Sequence, residues 1–133
     1  MRKLAMALVL GSALLAGPAL QAREKLTGEQ QLGKLLEGRV AGRPVSCIPL
    51  SSSSDSQIID KTAIVYDSGR TIYVNRPTNA DELDSDDIMV TRVSTSQLCR
   101  LDTVRMHNRL GHNFSGFVSL QDFVPYTRVA RTN

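Results

Sequence analysis

The chain has no tryptophan, and three tyrosines and three phenylalanines are its whole aromatic complement. Any interior it builds must therefore be filled mainly by valine, isoleucine and leucine. It has only two cysteines and two histidines. His107 and His112, five residues apart, could flank a hairpin and share a metal, but two imidazoles fall short of a four-ligand structural zinc site. We expect no metal and no cofactor. A Gly-x-Ser-x-Gly elbow and a glycine-rich phosphate loop are both absent, and after residue 22 no apolar run approaches the roughly 20 residues of a membrane helix.

An excess of basic charge is also missing where it would matter. The 16 basic and 13 acidic residues include Arg2 and Lys3 at the extreme N-terminus. Beyond residue 22 the two signs nearly balance, which argues against a nucleic-acid partner.

What is present at the start has the three parts of a secretory signal. Arg2 and Lys3 precede an apolar run, Leu4 to Leu15, broken only by Gly11 and Ser12; small residues follow, and Ala19 and Ala22 are both candidate cleavage positions. Residues 1–22 are thus expected to be removed on export to the periplasm or beyond. Residues 23–133 remain as a single small domain, about 111 residues long. A domain of this size has a thin core. In an oxidising compartment Cys47 and Cys99 are expected to form a disulfide. Closing a loop of about 53 residues would stabilise the fold by roughly 4 kcal/mol on the chain-entropy treatment. A Cys–His hydrolase would instead need a free thiolate.

Thr27-Gly28-Glu29-Gln30 reads as a capping box, followed by Leu32, Leu35 and Leu36 at helical spacing. The pattern predicts one short helix over about 28–37, stopped at Gly38. The rest reads as strands: Val45 to Pro49, then Gln57 to Asp60 and Lys61 to Tyr66 as a nearly continuous β-branched stretch, Thr71 to Asn75, Ile88 to Val93, Leu101 to Met106 and Phe114 to Leu120. Ile72 and Val74 are expected on one face of their strand, with Tyr73 on the other. Phe123 to Thr127 contains Pro125 and reads as a strand end or sheet edge. The fold class is mainly β: a small antiparallel barrel or sandwich of about six strands with one short N-terminal helix.

Three local patterns invite catalytic or metal readings. Asp67-Ser68-Gly69 after Ile64-Val65-Tyr66 imitates the aspartic-protease turn, but a shared proton needs two such carboxylates, and a hairpin turn explains the same residues. Asp81, Glu82, Asp84, Asp86 and Asp87 offer hard oxygen ligands, yet without the internal glycine of a calcium loop. They read as a solvated loop or a short helical turn. Asn113-Phe114-Ser115 matches a glycosylation sequon, which matters only in a eukaryotic host, whereas the Ala/Leu-rich signal reads as bacterial. Tyr73, Asn75, Arg76, Tyr126 and Arg128 are the candidate recognition face, because aromatic and arginine side chains carry much of the energy at real interfaces.

The segments Leu36 to Arg39, Gly42 to Ile48, Ile59-Asp60, Thr62 to Tyr66, Tyr73-Val74-Asn75, Ser96 to Cys99 and Phe123 to Tyr126 resemble a family of small exported proteobacterial proteins, especially of sphingomonads, known as a domain of unknown function. The resemblance implies export, cysteine pairing and bacterial origin. Some relatives carry a second cysteine pair, near Ala80 and Val118 here, which this chain lacks. The expected function is non-enzymatic: an envelope module that binds a protein, glycan or small ligand, or has a structural role. Inhibition of an exported enzyme such as lysozyme is the alternative, since Ser68-Gly69-Arg70 before Ile72-Tyr73 faintly echoes a Ser-Gly-x-x-Tyr strand. A small hydrolase is the third reading.

Overall fold

The computed structural model describes residues 23–130, together with Gly11 and Gly17. The expected signal segment lies outside the described residues. One helix, α1 (Gly28–Leu35), precedes ten strands: β1 (Arg39–Ala41), β2 (Cys47–Pro49), β3 (Ser56–Ile59), β4 (Ala63–Asp67), β5 (Thr71–Asn75), β6 (Asp87–Thr91), β7 (Gln97–Cys99), β8 (Thr103–Asn108), β9 (Phe114–Ser119) and β10 (Phe123–Arg128). All pairings among the described residues are antiparallel. They form three open sheets, ordered β1-β10-β5-β4-β3, β2-β7 and β6-β8-β9. No sheet closes into a barrel.

The helix forms as its sequence dictates. Thr27 Oγ1 accepts from the Gln30 N–H at 3.2 Å, and Gln30 Oε1 accepts from the Thr27 N–H at 2.9 Å. Leu32 is buried, and Leu35 and Leu36 pack beside it on Ile59, Ala63, Val65, Ile72 and Val74 of the five-stranded sheet. The helix stops at Leu35 with Leu36 as its C-cap, short of the expected 37, and Gly38 with φ +73° closes the turn that follows.

The opposite face of that sheet meets the other two sheets in the main core. Ile48, Ile58, Ile64, Tyr66, Leu98, Val104, Met106, Val118, Leu120 and Phe123 are all buried there. Strand alternation sorts the two faces. In β4, Ile64 and Tyr66 enter the main core while Ala63 and Val65 meet the helix. In β5, Ile72 and Val74 face the helix and Tyr73 faces the main core, as the sequence predicts.

Cys47 and Cys99 are bonded to each other, 52 residues apart in sequence and directly opposite across β2 and β7. Their neighbours Ile48 and Leu98 are fully buried. Near Ala80 and Val118 the chain is joined without sulfur. Asn79 Nδ2 donates to the Phe117 carbonyl at 2.7 Å, and Asn79 Oδ1 accepts from the Ser119 N–H at 3.1 Å.

Three expectations need correction. The stretch from Gln57 to Tyr66 is not one strand but a hairpin. It turns at Asp60-Lys61-Thr62, where Lys61 takes φ +52° and its N–H donates to the Leu83 carbonyl at 3.0 Å. Pro125 is not at an edge, because β10 lies inside the five-stranded sheet. Phe123 exchanges both its backbone hydrogen bonds with Val45, so alternation turns the Pro125 nitrogen to the same side. There Gly42 still donates its N–H to the Pro125 carbonyl at 2.7 Å, so the proline forgoes only the return half of that one pair. The strand count exceeds six because the stretch from Gln57 to Tyr66 divides into β3 and β4, and because β1 and β7 are only three residues long, too short to show alternation in sequence.

Burial also gives the fold an alkaline limit. Tyr66 is 2% exposed and packs 5.8 Å from the Phe123 ring. Burial pushes its phenol well above the ordinary value of 10.0. Because the folded-state pKa is raised, the unfolded chain loses this proton first. The associated stability is present below about pH 10 and declines as pH rises beyond it. Urea titrations of wild type and Tyr66→Phe at successive pH values should show a steeper alkaline decline in the wild type; parallel curves would refute this.

Candidate functional site

The five residues expected to form one recognition face do not come together. Asn75 is fully buried. Its Nδ2 donates to the Gln121 carbonyl at 2.7 Å, and its Oδ1 accepts from the Gln121 N–H at 3.0 Å. Tyr73 is half-buried on the main-core side. Arg76, Tyr126 and Arg128 belong to the helix side of the same sheet by alternation.

Arg76 is committed to a partner on α1. Its guanidinium donates to both oxygens of Glu29, at 2.6 and 3.1 Å. That hydrogen bonding holds the Glu29 carboxyl below its usual range and raises Arg76. Both side chains are largely exposed, so the pair contributes little to stability. Arg76 and Tyr126 border a cleft of about 170 Å³, below the roughly 300–1,000 Å³ of most ligand sites. Arg128 lies across from Arg39, whose guanidinium is occupied by the carbonyls of Gly69, Arg70 and Tyr126.

The catalytic and metal patterns resolve into local structure. Asp67 Oδ1 accepts from the Gly69 N–H at 2.8 Å, and Gly69 has φ +84°, so Asp67-Ser68-Gly69 is the hairpin turn between β4 and β5. The acidic segment contains a short 3-10 turn, Ala80–Glu82, before β6. Asp87 is 7% exposed, with Oδ2 accepting from Ser115 Oγ at 2.5 Å. His107 Nδ1 lies 3.2 Å from the backbone oxygen of His112, and its ring stands edge-on to Phe114 at 5.9 Å. Among the described residues, no three His, Cys, Asp or Glu side chains converge.

The best-formed surface lies on the outer face of β6-β8-β9. In β8, Val104 and Met106 point inward and are buried, so Thr103, Arg105 and His107 point outward. Arg105 pairs with Val90 of β6 on one side and with Phe117 of β9 on the other. Phe114 and Phe117 are 59% and 53% exposed. An open cleft of about 450 Å³ is lined by Thr103, Arg105, Phe114 and Phe117. Among the described residues Arg105 has no ion-pair partner. The face thus presents two rings, a hydroxyl and a cation without an ion-pair partner among the described residues. It is suited to binding.

Alternation in sequence hides this surface, because residues 114 and 117 have opposite parity. A register shift between Met106 and His107 resolves it. His107 pairs with Phe114 and Met106 with Gly116, so Ser115 is the extra residue and both rings reach one face. The available signal was compositional: two of the three phenylalanines stand in one short strand among Ser115, Gly116 and Ser119. No protein-family model, curated protein or solved structure matches the chain.

Proposed function

We propose that the chain is an exported, non-catalytic binding module that holds a protein partner on the outer face of β6-β8-β9. The observation that carries this reading is the exposure of Phe114 and Phe117 on either side of Arg105. Exposed apolar patches rimmed by polar groups mark interaction sites, and aromatic and arginine side chains dominate their energetics. The free cation favours a partner with a carboxylate set among apolar groups. It disfavours a second copy on this face, where a two-fold axis would bring like charges together.

The disulfide supports an oxidising compartment, extracellular or periplasmic. No helix among the described residues is long and apolar enough to cross a membrane. The disulfide agrees with the resemblance to small exported bacterial proteins.

The test is capture from envelope extract by the tagged, disulfide-intact protein, followed by pairwise binding with each identified protein. Phe114→Ser/Phe117→Ser should weaken the genuine partner at least tenfold, with a stability change under about 1 kcal/mol because both rings are exposed. Arg105→Glu should weaken it as well. A partner held with unchanged affinity by both variants would refute this face.

A further inference from the structure

The three sheets leave strand edges, and these edges are not equally protected. β9 is blunted by Thr78, whose N–H donates to the Ser119 carbonyl at 3.1 Å, and by the Asn79 side chain. β1 is three residues long, and the outward Arg39 N–H is taken by the Leu36 carbonyl at 3.1 Å. Among the described residues β3 has no such cover. The Asp67 N–H donates to the Asp55 carbonyl and the Thr62 N–H to the Ile59 carbonyl, so residues 55, 57 and 59 face β4. The backbone N–H and C=O groups of Ser56 and Ile58 therefore point away from the sheet. An open cleft of about 600 Å³, bordered by Ser56, Ile58, Asp87 and Met89, leaves that flank accessible. No proline, bulge or lysine interrupts Ser56–Ile59, although proteins commonly use these devices to guard an edge.

We propose that the free edge of β3 is a self-association surface, on which a second copy adds its own β3 antiparallel about a two-fold axis at Gln57. In that register Ser56 faces Ile58 of the second copy, and the reverse holds by symmetry. Each pair exchanges both backbone hydrogen bonds, using the outward groups that lack partners among the described residues. The two Gln57 side chains meet at the axis, where amide groups can donate to and accept from each other.

Charge completes the fit. Asp55 stands opposite Ile59 of the second copy, one diagonal step from Lys61, within reach of a long side chain. Asp55 and Lys61 are exposed, and neither has an ion-pair partner among the described residues. No like charges face each other directly, because Asp60 lies opposite Ser54. This surface is separate from the proposed partner face on β6-β8-β9, so either can fail without the other.

Sedimentation of the disulfide-intact protein over a range of concentrations should show a monomer–dimer equilibrium. Lys61→Glu should raise the dimer dissociation constant several-fold, and Asp55→Lys/Lys61→Glu should restore it. Ser56→Pro removes only an outward donor at the first residue of β3, so it should weaken the dimer about tenfold without lowering the thermal midpoint. Amide exchange on the dimer should show new protection at Ser56 and Ile58. A monomer at every concentration, or a dimer indifferent to both Lys61→Glu and the double swap, overturns the proposal. If Ser56→Pro proves unstable, the charge swap alone decides.

Discussion

Replacing Cys47 and Cys99 together by serine should lower stability by about 4 kcal/mol and the thermal midpoint by roughly 15 °C. The size follows from the 52-residue separation, because the bond restricts the unfolded chain over nearly half of the expected mature length. Typical domains have about 5–15 kcal/mol in total, so the variant would be marginal at physiological temperature. The folded state adds a local reason. β2 and β7 have three residues each and pair only with each other, and isolated two-stranded pairs are weak. Yet they deliver Ile48 and Leu98, both fully buried, to the main core.

The bond joins a position where the strands do not hydrogen-bond directly. Arg100 N–H donates to the Ser46 carbonyl and Leu50 N–H to the Ser96 carbonyl, which places Cys47 and Cys99 at the alternate pair. The outward Cys99 N–H is taken by Asp102 Oδ2 at 2.7 Å. Urea unfolding of oxidised protein, protein with added reductant and the double variant would measure the effect. If the bond acts on the unfolded ensemble, the urea m-value should also rise on its removal, as the freed chain exposes more surface. A loss below about 1 kcal/mol would mean that the core is secure without the staple.

Much of the fold was legible because particular residues state it twice. Thr27 and Gln30 mark the start of α1, and Leu32, Leu35 and Leu36 give its buried stripe. Thr71 to Asn75 alternates so cleanly that both faces of β5 follow from sequence alone. Asp67-Ser68-Gly69 encodes its turn through a carboxylate that can bond two residues on and a glycine free to take positive φ.

The failures share a cause. The turn at Asp60-Lys61-Thr62 carries no glycine or proline, and it depends on a contact with Leu83, distant in sequence. Pro125 sits inside a sheet because Gly42 opposite it still donates to its carbonyl and only the return bond is lost, a fact of pairing. The outward placement of Phe114 beside Phe117 depends on one extra residue in β9. Asn75 was the instructive error among the candidate site residues. Its polarity suggested recognition, but its parity with Tyr73 placed it on the main-core side of β5, where a polar group persists only with partners.

Those partners make Asn75 the second position of large effect. Replacing it by alanine should cost about 3 kcal/mol. The change leaves the Gln121 N–H and C=O without their partners at 3.0 and 2.7 Å and opens a hole at a fully buried site. Asn75→Asp separates hydrogen bonding from volume. It keeps the shape and the acceptor for the Gln121 N–H, but it sets a buried carboxylate against the Gln121 carbonyl. At neutral pH the penalty should match or exceed that of alanine, because an uncompensated charge is buried. Burial and that oxygen raise the folded-state pKa of the introduced acid above its unfolded value. Its stabilising protonated form is therefore fully present only below the unfolded value, and it is lost as pH rises through the folded one. Acidification should rescue Asn75→Asp relative to wild type while leaving the deficit of Asn75→Ala unchanged. The Asn75–Gln121 contact fixes the connection between β9 and β10, so both variants should also loosen the strand that carries Phe114 and Phe117. An alanine penalty below about 1 kcal/mol, or an aspartate variant whose deficit ignores pH, would show that Leu120 and Phe123 hold this connection unaided.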